Sequence, residues 1–147
     1  MKNITGIGQF LLRLAIAVSF FMAVMDRLGL LGTHGSGTAW GDWKHFVDYT
    51  NTLVPFVNRP LANIIGFVAT IAELVFGMLL VVGYRIKEAA LGAGILTLCF
   101  GLCMAMFVSI SAPVNYPVFV FTGSALILST LDHHAWSIDN YIQKRTL

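Results

Sequence analysis

Four apolar stretches organise this chain, two of their three separations being short and one long. The first runs from about residue 7 to 31, and the second from about 61 to 84, opened by Pro60 at a position that a helix start tolerates. The second closes at Gly83, before the polar turn "YRIKE". A third stretch covers about 88 to 110, and "SAPVNYP", with two prolines and an asparagine, separates it from a fourth at about 114 to 131. From Ala89 to Leu131 there is no Asp, Glu, Lys or Arg, about twice the length one helix needs to cross a bilayer. The pattern predicts an all-α integral membrane four-helix bundle, one domain over residues 1–147 with a cytoplasmic tail at 132–147.

Two of the predicted helices display a packing face. Gly66, Ala69, Glu73 and Gly77 follow one another at steps of three, four and four, which aligns them along one side of a helix. Gly94, Thr97, Gly101 and Ala105 make a matching stripe on the third span. Small residues let helices approach closely where lipid supplies no hydrophobic drive for association. Glu73 is thereby placed against protein.

Residues 32–60, between the first two spans, are too many for a simple connection. After the flexible "GTHGSG", the stretch "AWGDWKHFVDYTNTLVPF" sets Trp40, Trp43, Val47 and Thr50 on one side and Asp42, His45 and Asp48 away from it. This predicts an interfacial aromatic loop or short helix in the headgroup layer, with Trp40, Trp43, Phe46 and Tyr49 as an anchor or as a lid over an entrance to the bundle. "GTHGSG" lacks the Gly-Lys-Ser/Thr ending of a phosphate loop, so it carries no nucleotide role.

Composition agrees with the pattern: 57% of residues are hydrophobic and 11% charged, with a mean hydropathy of +0.80. A net charge of +2 makes no basic patch, and nucleic acid is excluded as a partner; the lipid bilayer is the expected one. Lys2, Arg85, Lys87, Lys144 and Arg145 fall on one side, against Arg27, Lys44 and Arg59 diluted by Asp26, Asp42 and Asp48 on the other. Both termini are therefore expected in the cytoplasm. The first span carries an arginine and no clear small-x-small cleavage site, so it reads as a retained span rather than a signal peptide.

Charge inside the spans needs a reason. Glu73 is the sole charged residue between Pro60 and Tyr84, and a carboxylate near the midplane costs several kcal/mol unless it is neutral, paired or beside a wet cavity. Arg13 is the expected partner. It lies about 10 Å from the cytoplasmic end and Glu73 about 16 Å, a difference that a long side chain and helix tilt can close. Such a pair either fixes which helix faces which or lines a polar pocket. Asp26 and Arg27, at the far end of the first span, form a second polar site beneath the loop or reach out to water.

Other chemistry is sparse. Cys99 and Cys103 share a helix face at a spacing of four, which is not a redox motif and reads as packing. His34 and His45 are placed on one side and His133 and His134 on the other; no metal site is expected from their spacing, nor a paired-histidine haem site.

Three stretches carry a resemblance: "QFLLRLAIAVSFFMAVMDRLG", "PLANIIGFVATIAELVFGMLLVVGYRIKEAALG" and "AWSIDNYI". Together they resemble the DoxX-like family of small four-helix membrane proteins over almost the whole chain. Arg13, Glu73, Gly77 and Gly83 match recurring positions of that family, and Ser137 and Asp139 match its tail. Asp26 and Arg27 depart from the His-Gly and Lys often found there. The resemblance implies a bacterial inner-membrane protein; the family takes its name from a subunit of an archaeal thiosulfate:quinone oxidoreductase, and other relatives are linked to redox homeostasis.

The expected function is a subunit or accessory of a quinone-linked membrane redox process, with a pocket for a ligand or proton formed by Arg13, Glu73, Asp26 and Arg27. No side chain here holds an electron, so there is no intrinsic cofactor and a redox role needs a bound quinone or a partner protein. The alternatives are a non-catalytic scaffold or assembly factor, and a small-solute or proton carrier, the latter disfavoured by the lack of an internal repeat. A homo-oligomer is a further open expectation.

Overall fold

The structure is a computed structural model that describes residues 2–145; Met1 and the last two residues of the predicted tail, Thr146 and Leu147, lie outside the described residues. Among those described there are seven helices and no strand. Four form the bundle: α1 (Lys2–Arg27), α3 (Arg59–Val82), α4 (Ile86–Phe107) and the shorter α6 (Val118–Thr130). Between α1 and α3 lies α2 (Trp43–Leu53), α5 (Ala112–Asn115) precedes α6, and α7 (Ile138–Arg145) follows it. α1 packs on α3, α3 on α4, α4 on α6, and α6 returns to α1, with α2 seated against α3 and α4.

α1, α3 and α4 are long and apolar enough to cross a membrane. Their outward faces are greasy: Ile64, Phe67, Val68, Ile71, Val75 and Met78 of α3 are all exposed. Such a surface belongs in lipid. The predicted fourth span differs in its start. Pro117 lacks an amide hydrogen and restricts the residue before it, so the expected helix from about residue 114 breaks at Tyr116 into α5 and α6. At 13 residues α6 is about 20 Å long, against about 30 Å of hydrocarbon.

Helix ends follow local chemistry. α1 stops at Arg27, short of the expected residue 31, because Gly29 adopts a left-handed φ of 73° and closes a paired turn, Leu30 N donating to Met25 O and Gly29 N to Asp26 O. α3 also closes on a left-handed glycine, Gly83 at φ 74°, where Gly83 N and Tyr84 N both donate to Leu79 O. Asp42 opens α2 by accepting from His45 N at 2.8 Å, and Asn58 opens α3 by accepting from Leu61 N at 3.0 Å.

The interior has two unlike halves. Around the end that holds the chain's N-terminal region, the α3–α4 turn and the tail (the tail end), Ile16, Ala17 and Phe20 of α1 pack with Leu80, Ile86, Ala89, Ala90, Ala93, Ala125 and Leu128. This core is alanine-rich and closely packed. At the opposite end, beneath α2 (the loop end), the core is smaller, built on Leu53, Met104 and Ala112. The expected small-residue stripe of α3, Gly66, Ala69, Glu73 and Gly77, is buried; on α4 Gly94, Thr97 and Gly101 are buried and Ala105 is half-buried. A methyl at Gly77 would meet the Phe21 ring at 2.9 Å, and one at Gly94 the Leu126 side chain at 2.8 Å.

Candidate functional site

Glu73 does not pair with Arg13. Its partner is Arg27, whose guanidinium donates to both carboxylate oxygens, Nη1 to Oε2 at 2.6 Å and Nη2 to Oε1 at 3.0 Å. Helix geometry explains the exchange. A helical side chain leans toward the N-terminus of its own helix. On α1 that direction is the tail end, so Arg13 points away from the middle and Arg27 points back into it. On antiparallel α3 the same rule tilts Glu73 toward the loop end, to meet Arg27. Estimating depth from Cα rise alone leaves this lean out, and the lean reverses the choice of partner.

The two terminal nitrogens of Arg27 are held, while its buried Nε–H has no hydrogen-bond partner. Nη1 also donates to Thr70 Oγ1 at 2.9 Å, and that hydroxyl in turn donates to Gly66 O. The Phe46 ring lies 4.1 Å from the guanidinium and Trp40 lies 5.0 Å away, close enough for both aromatic faces to attract the cation. Gly66 makes room for this: a Cβ there would come within 2.9 Å of the Phe46 ring. Bidentate pairing of this kind is favoured for a buried carboxylate, which otherwise loses its hydration without return.

Asp26 plays a different part from its neighbour. Its carboxylate accepts three backbone N–H groups of the returning loop, from Ala39 at 3.0 Å, Trp40 at 3.1 Å and Gly41 at 2.9 Å. Backbone amides converging on one carboxylate fix the loop's path, and with it the Trp40 ring above Arg27. So Asp26 and Arg27 do lie beneath the loop, one fastening it and one being covered by it.

Arg13 is the tail-end counterpart. It is buried, and donates from Nε to Leu80 O at 3.0 Å and from Nη1 to Ala135 O at 3.0 Å, with Trp136 O at 3.4 Å from both terminal nitrogens. Leu80 lies in the last turn of α3, where carbonyls lack helical partners. Nearby, Asp139 accepts from Arg85 N and Ile86 N, both at 2.8 Å, and so caps α4; Ser137 Oγ accepts from Asn140 N at 3.1 Å and starts α7. Gly83 is needed at this junction, since a Cβ would sit 2.8 Å from Arg13 Nη2 and 2.9 Å from Ser137. Arg13 is thus a clamp and not part of a pocket with Glu73.

A cavity of about 560 Å³ opens between the loop end of the bundle and the aromatic segment. Arg27 and Glu73 contribute to its buried side, Phe100 and Met104 to its apolar wall, and Trp40, Phe46 and Tyr49 to its cover. Its size falls within the range of about 300–1,000 Å³ common to small-molecule sites. Of the four aromatic residues expected as lid or anchor, Trp43 alone does not line it. Trp43 instead donates from Nε1 to Asn63 Oδ1 at 2.7 Å and packs beside Phe67.

Two histidines that the sequence placed outside any site belong to the cavity. His34 and His45 both line it, their rings stacked 3.8 Å apart and 4° from parallel. The expectation that His45 points away from the bundle side is corrected here: the glycine-rich turn folds back and brings His34 onto it. No periodicity signals such a contact, because it depends on the path of a loop. Outside the spans, Asp42 is held below its ordinary value, chiefly by the His45 backbone N–H. Burial pushes the Tyr49 hydroxyl up. Among the described residues no group of three or more His, Cys, Asp or Glu could hold a metal ion.

Comparison with protein-family models, curated proteins and solved structures yields no match.

Proposed function

We propose that this chain is a DoxX-like protein of a bacterial inner membrane, with both termini cytoplasmic, that binds a quinone in the loop-end cavity as a subunit or accessory of a membrane redox process. The observation that carries the reading is the cavity itself: an apolar space of about 560 Å³ in a membrane protein, with one buried ion pair on its wall. An apolar chamber with few polar groups suits a lipophilic ring whose polar atoms need one or two fixed partners. Arg27 and Glu73 would orient such a head group, and Trp40 and Tyr49 would cover it. Kinship with the family is supported by Arg13, Gly83, Ser137 and Asp139, residues that carry the resemblance and meet at one junction.

Titrating the purified protein in nanodiscs with decyl-benzoquinone tests this, with Trp40 fluorescence as the readout. Saturable quenching that is lost on filling the cavity by Ala112→Leu is expected. No saturable quenching, together with unchanged quinone-dependent respiration in a deletion strain, overturns the reading.

A scaffold or assembly factor, working with a membrane partner or as a homo-oligomer, is the second reading. It is favoured by how fully Glu73, Thr70 and the two aromatic rings engage Arg27, leaving the pair a sufficient structural role. On that reading Glu73→Gln lowers abundance and function in step, whereas a ligand site loses activity at near-normal abundance.

A further inference from the structure

We infer that the mouth of the cavity selects a ligand bearing a hydroxyl donor, a phenol or hydroquinone, by presenting it with the Nε2 lone pairs of His34 and His45. The inference rests on the reading of the cavity as a site for a lipophilic ring and adds which form of that ring it prefers.

Hydrogen-bond partners fix the tautomer of each ring. His34 Nδ1 lies 3.0 Å from Trp40 O. A carbonyl oxygen only accepts, so Nδ1 carries the proton. His45 Nδ1 lies 2.9 Å from each carboxylate oxygen of Asp42, which also only accept, so this Nδ1 carries the proton too. A neutral imidazole has one donor and one acceptor nitrogen. In the neutral rings both Nε2 atoms are therefore acceptors, and among the described residues no hydrogen bond engages either. Stacking at 3.8 Å uses the facing sides of the two rings and not their edges, and both residues line the cavity.

The remaining polar groups of the cavity do not supply the same sign. The Glu73 carboxylate accepts from both terminal nitrogens of Arg27, whose buried Nε–H has no partner and is a donor, and the Thr97 hydroxyl lies within hydrogen-bond distance of Ala93 O and Thr122 Oγ1. Tyr49 and Tyr116 also line the wall, and a phenol both donates and accepts, so neither discriminates. At the histidine edge a ketone oxygen would face lone pairs without a proton between them. A hydroxyl would satisfy one.

The test compares three compounds of one skeleton, decyl-benzohydroquinone, decyl-benzoquinone and the hydroquinone dimethyl ether, binding anaerobically to the full-length protein in nanodiscs. The hydroquinone is expected to bind about fivefold tighter than the other two, the net worth of one partly exposed hydrogen bond. His34→Phe and His45→Phe, which keep an aromatic stack but remove the lone pair, should bring the hydroquinone down to the level of its ether and leave the ether unchanged. Equal binding of hydroquinone and ether to the unaltered protein overturns the inference while the site stands. Binding of none of the three overturns the ligand reading and this inference with it.

Discussion

At the tail end an arginine is surrounded by carbonyl oxygens; at the loop end another grips a carboxylate beside a cavity. Arg13 ties together the last turn of α3 and the segment leading into α7, in a region whose core is filled by alanines at close approach. Arg27 is gripped by Glu73, Thr70, Trp40 and Phe46, yet the space beside it is open. Both are buried cations of the same apolar helix, α1. The difference is that the tail end is tied down by the Arg13 clamp and the Asp139 and Ser137 caps, whereas the loop end keeps a chamber roofed by aromatic rings. A protein that uses one end as foundation and the other as site would be arranged this way.

Breaking the loop-end pair should have the largest effect on stability. Glu73→Gln or Arg27→Gln leaves an uncompensated buried partner, and a loss of about 3–5 kcal/mol is expected in reversible denaturation in mixed micelles. Arg13→Gln comes next, at about 2–4 kcal/mol, because several tail-end carbonyls lose their donor; it should also raise hydrogen exchange across residues 134–139 while leaving the loop end protected.

Packing contrasts the two ends more finely. Ala93→Leu adds volume to the filled half, and overpacking should cost about 1–3 kcal/mol. Ala112→Leu adds the same volume beside the cavity and should cost less than about 0.5 kcal/mol in thermal melts, since space is there to receive it. Equal costs at the two positions would erase the distinction between a solid half and a hollow one.

The smallest expected effect is on pH. His134 is buried, its two ring nitrogens have no hydrogen-bond partner, and burial pushes its imidazole below the ordinary 6.5, with Arg13, Lys87 and His133 adding to the fall and Asp139 opposing it. A base whose folded value is depressed is protonated first in the unfolded state. Its contribution to stability is therefore present above about pH 6.5 and is lost as pH falls below that. Exchange at the tail junction should rise on acidification from about pH 7 to pH 5, and His134→Phe should flatten the rise.

Much of this architecture is legible in the chain. The three long spans, the short helix after "GTHGSG", the buried small-residue stripes and the burial of Glu73 all follow from apolar runs and helical spacing. What was hidden depends on direction and on loop path. Glu73's partner is decided by the lean of side chains along antiparallel helices, which a count of residues from a helix end does not contain. Pro117 marks a break, but "SAPVNYP" alone does not say on which side of Tyr116 the helix restarts. His34 and His45 meet because Asp26 gathers three amides of the loop, a contact between residues far apart in sequence with no periodic signature. The tail motif is visible as Ser137 and Asp139, yet their role as caps emerges only once α7 is seen beside the start of α4.

The most direct test is a pair of double-mutant cycles on stability, Glu73→Gln with Arg27→Gln and Glu73→Gln with Arg13→Gln. The first pair should be coupled by about 1–3 kcal/mol, the double mutant being far less damaged than the sum of the singles; the second should be additive within about 0.5 kcal/mol. Coupling of Glu73 to Arg13, with additivity toward Arg27, would contradict the account.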